Sequence, residues 1–218
     1  MLHAFSVVAG LTVLVTAFSG QQAGTDPAIF MPADRIADSY KIYSSLLPLG
    51  ETAGPGWPHD VLLVQDKTIT VVPLDQKCDD PLSATMNPHQ AVHPTDDRRQ
   101  DFAEILQDFD HHCHDRLILD PNSWKVAIPV RLLNAQEQKE FQSTRMNSNP
   151  STAAAQKFKG APALYAFSQV YFNAHHTVAL VYATHWCGGL CGQGFWIAFA
   201  LENGRWKPLR WNATTWIS

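Results

Sequence analysis

Ile36, Tyr40, Tyr43 and Leu47 recur at the three- to four-residue spacing of one helical face. Pro48 and Gly50 stop the run, so the pattern predicts a helix over 36–47. Residues 51–59 are rich in Gly and Pro and read as a loop. The runs 61–64 and 68–72 are β-rich, with Gln65-Asp66-Lys67 between them, and predict a short hairpin. Residues 78–97 are crowded with Pro, Asn, Asp and His and read as an irregular surface segment. Over 97–115 the residues Phe102, Ile105, Leu106, Phe109 and Cys113 follow helical spacing, which puts Cys113 within the apolar stripe. Residues 124–130 read as extended, and Pro129 argues for a sheet edge. A further helix is predicted over 134–145, where Asn134 and Glu137 have capping-box spacing. Residues 146–162 read as a connection.

Beyond residue 162 the period changes from helical to alternating. The runs 164–172, 177–186, 195–202 and 205–211 are β-rich and joined by short turns. Asn203-Gly204 is a strong hairpin signal, and 173–176 makes another tight connection. Together they predict an antiparallel meander. The third run is apolar on both faces, with Phe195, Ile197, Phe199 and Leu201 on one and Trp196, Ala198 and Ala200 on the other. Such a strand is central or covered on both sides. The expected fold is α+β: one domain over 20–218, its C-terminal meander packed against helices from the N-terminal half.

The N-terminus changes the cellular picture. Residues 1–19 hold no charged side chain, 5–18 are almost wholly apolar, and Ala17 and Ser19 precede Gly20 as small residues before a cut would. This reads as a signal peptide, although His3 stands where Lys or Arg is usual. An uncleaved anchor is the alternative, and the segment is short for a span of about 20 residues. Residues 20–33 read as a loose arm. The expected location is periplasmic or extracellular, with no integral span once the signal is removed.

Composition narrows the class. The chain has 218 residues, 45% hydrophobic and 17% charged, with seven Trp and eleven Phe, which excludes disorder throughout. Lys+Arg is 16 against Asp+Glu 20, and the pI is near 6.2, which argues against a nucleic-acid partner. Four cysteines in an oxidising compartment favour two disulfides. Of three possible pairings, Cys187–Cys191 with Cys78–Cys113 is preferred.

Candidate chemistry is sparse. The segment 187–194, Cys-Gly-Gly-Leu-Cys-Gly-Gln-Gly, carries four glycines and two cysteines that can close on each other. The alternative is a metal site at His185, Cys187 and Cys191, one ligand short of the tetrahedral four. A redox pair is disfavoured, because the spacing is not Cys-x-x-Cys and no βαβ pattern surrounds it. In Asp110-His-His-Cys-His-Asp115, helical geometry sends His111 opposite the apolar stripe, with His112 and His114 on different flanks. Three divergent imidazoles do not chelate one ion, unless the helix stops near Asp110. Asp110 and His114 have the spacing of an i, i+4 pair, and Cys113 reads as a structural half-cystine. His175-His176 falls at a turn. His89 and His93, near Asp96 and Asp97, form at best a weak loop metal site. Trp206, Trp211 and Trp216 alternate faces and so form no single stacking platform. Asn212-Ala-Thr214 fits the weakly specific glycosylation pattern. No nucleophile elbow, zinc-protease motif, phosphate loop or dinucleotide fingerprint occurs, and no cofactor is expected.

The segment YFNAHHTVALVYATHWCGGLCGQGFWIAFALE, from Tyr171 to Glu202, is followed by NGRWK. It resembles a family of exported bacterial proteins of unknown function. Their recurring pattern is an FN…T.ALVY strand, an LCG.G turn and an NG.W hairpin. The stretch YKIYSSLLP from Tyr40, and the DFD…LLN…EF portion from Asp108 to Phe141, are similar too. The resemblance implies that Cys187 and Cys191 pair with each other, and it carries no activity. The expectation is therefore a non-enzymatic binding or envelope-associated module with a protein or envelope partner. The alternative is a metal-dependent or thiol-based enzyme using the His185/Cys187/Cys191 turn.

Overall fold

The structure, a computed structural model, is described for residues 28–47, 60–147 and 150–217. The proposed signal segment 1–19 and the 51–59 loop lie outside the described residues. In chain order the elements are β1 (Ile29–Phe30), α1 (Ala33–Ser45), β2 (Leu62–Gln65), α2 (Pro88–Ala91), β3 (Val92–His93) and α3 (Arg99–His112). Then come β4 (Leu117–Ile118), β5 (Val130–Leu133), α4 (Ala135–Met146), α5 (Thr152–Lys157), β6 (Leu164–Phe167) and β7 (Tyr171–Phe172). The chain finishes with β8 (Val178–Gly188), β9 (Cys191–Glu202), β10 (Arg205–Pro208), β11 (Asn212–Ala213) and β12 (Thr215–Ile217).

The C-terminal strands form the antiparallel meander, as the alternating pattern predicts. β8 pairs β9 from Val178↔Ala200 to Gly188↔Cys191, and β9 turns into β10. Asn203 and Gly204 both have positive φ, 52° and 74°. That is the backbone a tight two-residue hairpin turn requires, and its twist matches the flanking strands.

The N-terminal half adds parallel strands, so the whole sheet is mixed. Eight strands join it, in the order β10-β9-β8-β6-β2-β5, with β7 on β8 and β12 on β9. The hairpin expected over 61–72 does not form. β2 instead runs parallel to both β5 and β6. The reason is burial: Leu62, Leu63 and Val64 are all fully buried. An apolar run covered on both faces belongs at the centre of a sheet, not in a two-stranded ribbon. Residues 68 and 69 serve as a bridge, with Thr68 N–H donating to Leu117 O and Ile69 N–H to Phe167 O.

Side chains alternate cleanly across the sheet. Ala179, Val181, Ala183, Tyr165 and Phe167 meet Tyr40, Ile42 and Tyr43 of α1 on one face. Val178, Leu180, Tyr182 and Trp196 meet Phe102, Ile105 and Phe109 of α3, with Cys113 at its end, on the other. That second face also carries Leu63, Leu133 and Leu164 against Phe141 of α4 and Phe158. The helices therefore cover both faces. Burying one Phe or Leu contributes roughly 1.5–3 kcal/mol, which makes these faces the main support of the fold.

Three boundaries differ from the pattern. Ile36 is exposed while Ile42 is buried, so the buried stripe of α1 is rotated from the expected one. Of 124–130 only Val130 enters a strand; Trp124, Val126 and Ile128 pack as partial cover on the α1 face, and β5 is the edge strand. Within 78–97 the short α2 is capped by Asn87, and within 146–162 α5 is capped by Ser151. The predicted helices otherwise stand, including the Asn134–Glu137 capping box. Among the described residues no helix is long and apolar enough to cross a membrane.

Candidate functional site

The structure closes Cys187 on Cys191 and Cys78 on Cys113. The first pair pins the end of the longest ladder in the sheet, where β8 and β9 contribute 11 and 12 residues. Register shifts between Trp186 and Gly188, and Gly188 then faces Cys191. Between the strands, inside the loop that the bridge closes, lie Gly189 and Leu190. Leu190 is 94% exposed, the most exposed large apolar side chain among the described residues. Met146, at the end of α4 and 64% exposed, lies beside Gly189. Ile217, 78% exposed, pairs with Gln193 on β9. The stapled tip thus carries one apolar side chain in water, Leu190, with exposed Met146 beside Gly189 and exposed Ile217 beside Gln193.

His185 sits behind this tip and is 5% exposed, with no hydrogen-bond partner for Nδ1. It faces Tyr165 on one neighbouring strand and Gln193 on the other. Burial holds its pKa below the ordinary imidazole value. The Tyr165 hydroxyl is pushed up to about 12, also by burial. His185, Cys187 and Cys191 do not form a ligand cluster. Among the described residues, the His, Cys, Asp and Glu ligand atoms that gather in threes within 4.8 Å are those of Cys78, Cys113 and His114.

At the end of α3 the histidines diverge, His111 and His112 within the helix and His114 beyond its last residue. His111 Nδ1 lies 2.6 Å from Gln107 O, His112 Nδ1 2.7 Å from Asp115, and His114 Nε2 3.1 Å from Pro73 O. Asp110 does not pair with His114; its partner is His89 Nε2 at 2.7 Å. His93 lies in β3 opposite Asn212, Asp96 pairs with Arg99, and Asp97 with Arg98. The loop site suggested by His89, His93, Asp96 and Asp97 is therefore not assembled. The tryptophans scatter too. Trp206 lies against Phe172, Trp211 against Phe102, and Trp216 N–H donates to the Tyr182 hydroxyl.

A polar cleft of about 280 Å³ was not anticipated. It is lined by Arg35, Glu104, Asp108, His111, Asn173 and His176, among others. Arg35 donates through both terminal nitrogens to Asp108, with each side chain 13% exposed. Asp108 also accepts from Phe172 N–H, and Glu104 from Ala174 N–H. Asn173 donates to Asp101 and accepts from the N–H groups of Thr177 and Val178. His176, at φ 51°, stacks on Phe172 at 4.7 Å. These contacts clamp the β7–β8 turn to α3 and α1. The spacing of Asp101, Glu104 and Asp108 marks one acidic face of α3, which is the signal that would have found the cleft.

No family model, curated protein or solved structure matches this chain.

Proposed function

We propose that the chain is an exported, disulfide-stapled binding module that engages an apolar pocket on a protein partner through the β8–β9 tip. We place it with the exported bacterial proteins that share its C-terminal signature. Two closed disulfides are compatible with an oxidising compartment, which supports export. The observation that carries the reading is Leu190, 94% exposed on a turn that the Cys187–Cys191 bridge closes. A staple limits the conformations of the free tip, so little ordering entropy remains to be lost on binding. Met146 and Ile217 extend the apolar contact beyond one side chain. A protein is favoured over an anionic lipid surface, because the net charge of −4 works against the latter.

The test compares three forms of the mature chain as immobilised bait for envelope extract of the producing cell. These are the unaltered chain, Leu190→Ser and Leu82→Ser. Leu82 is 81% exposed but lies in the 78–87 loop, so it controls for generic stickiness. Quantitative mass spectrometry is expected to find a protein retained by the first and third forms and lost with Leu190→Ser. Equal retention by all three refutes docking through the tip.

The alternative, an enzyme built on His185, Cys187 and Cys191, draws on one observation: the buried, unpartnered His185 Nδ1. It requires the bridge to open, and alkylation of Cys187 and Cys191 in chain isolated without reductant would favour it.

A further inference from the structure

The end of α3 holds a group that the stapled tip does not use. Cys113 caps the helix and closes on Cys78. His114, the next residue, lies against the same bridge, its Nδ1 4.0 Å and its Nε2 3.8 Å from Cys78 Sγ. Its Nε2 is also 3.1 Å from the Pro73 carbonyl oxygen. A carbonyl only accepts, so Nε2 carries the proton of the neutral ring and Nδ1 keeps its lone pair. This is the arrangement of a metal-binding histidine, whose second N–H is held by an outer carbonyl.

The distances suit a thiophilic cation. With Zn–S bonds of about 2.3 Å and Zn–N bonds of about 2.0–2.1 Å, tetrahedral angles put N and S about 3.6 Å apart and two sulfurs about 3.8 Å apart. The Nδ1 to Cys78 Sγ distance is 4.0 Å, and ligand atoms of Cys78, Cys113 and His114 all lie within 4.8 Å of one another. The Cys78 and Cys113 Cα atoms, 6.1 Å apart, leave the sulfurs room to separate by the required amount. Cys113 is 1% exposed and fixed among Phe102, Ile105 and Phe109, so its position survives opening of the bridge.

We propose that reduction of Cys78–Cys113 opens a zinc-type metal site formed by Cys78 Sγ, Cys113 Sγ and His114 Nδ1. A dithiol supplies the two electrons and two protons, ending as its own disulfide and leaving two protein thiols. Binding of Zn²⁺ releases both thiol protons to solvent. Two thiolates and a neutral imidazole then balance the charge of the ion, and water takes the fourth position. The oxidised chain holds a staple at Cys78 and Cys113, and the reduced chain a metal centre at those two residues and His114.

The test uses the full mature chain, reduced with a phosphine without oxygen, with Zn²⁺ alone as the probe. Alkylation of each cysteine is timed by mass spectrometry with and without the ion, and helix content is followed by circular dichroism. Zn²⁺ is expected to slow alkylation of Cys78 and Cys113 at least about tenfold, while Cys187 and Cys191 stay reactive. His114→Ala is expected to remove most of that protection, since even losing a ligand's outer partner costs roughly 10–100-fold in affinity. Absent protection, protection shared by all four cysteines or confined to Cys187 and Cys191, or protection that survives His114→Ala, overturns the proposal. A reduced chain that loses its helices and does not regain them with Zn²⁺ overturns it as well.

Discussion

The two staples close loops of very different length, and their contributions to stability should differ accordingly. Cys78–Cys113 spans 35 residues and Cys187–Cys191 spans 4. In the chain-entropy description, a cross-link removes about 2.1 + 1.5R ln n cal/mol/K from the unfolded ensemble, where n is the loop length. At 25 °C the 35-residue loop corresponds to about 3.8 kcal/mol. The 4-residue loop corresponds to about 1.9 kcal/mol. Packing widens the gap, because Cys113 is buried in the α3 core while Cys187 is only partly buried. The perturbations are Cys78→Ala with Cys113→Ala, and separately Cys187→Ala with Cys191→Ala. Guanidinium unfolding without reductant gives both losses. The long-loop variant should also unfold with a steeper denaturant slope, because its unfolded chain exposes more surface. Equal losses, or a larger loss from the short loop, would refute the chain-entropy reasoning for this fold.

Other consequences follow from single contacts. Asp108→Ala should cost about 3 kcal/mol in chemical unfolding, because it strands Arg35 and the Phe172 N–H in a mostly buried position. By contrast, Glu202→Gln at the exposed Lys207 pair should cost far less, because solvent screens that pair; a comparable loss at the two sites would deny the Arg35–Asp108 clamp its role. Gly194→Ala should cost about 1–3 kcal/mol, since a Cβ there would fall into the contact between Trp216 and Tyr182; unchanged stability and tryptophan fluorescence would contradict that close approach. His185 has a folded pKa below its ordinary 6.5. The unfolded chain therefore binds the proton first, so this stability is full above about pH 6.5 and falls as the pH drops towards the folded value. Unfolding free energies measured from pH 7.5 down to 5 should show a shallower acid loss for His185→Leu, and an identical slope would count against the buried, neutral imidazole.

The legible parts of the fold were those encoded locally. The Asn203-Gly204 turn, the apolar stripe of α3 and the Asn134–Glu137 box each lie within a few residues, and each formed where the pattern placed it. β2 was misread because three consecutive buried apolar residues look alike in a hairpin and in a central strand. Its actual neighbours, Leu132 and Tyr165 beside Val64, are far along the chain, and no local period encodes a parallel pairing. The candidate site divides in the same way. The glycine-rich Cys187–Cys191 turn was visible as a short motif, whereas the exposure of Met146 and Ile217 beside it depends on where α4 ends and β12 pairs. The Arg35–Asp108 clamp joins residues 73 apart, and His89 meets Asp110 across 21. Such pairs are set by tertiary packing, which is why helical spacing offered Asp110 the wrong histidine.

The most direct test of the stapled-module account is a disulfide map of the chain isolated with an alkylating agent and no reductant. The account predicts a mass lower by the four hydrogens that two bridges remove, no alkyl adduct, and linked peptides joining Cys78 to Cys113 and Cys187 to Cys191. An alkylated cysteine, or a linked peptide joining Cys78 or Cys113 to the β8–β9 turn, would contradict it.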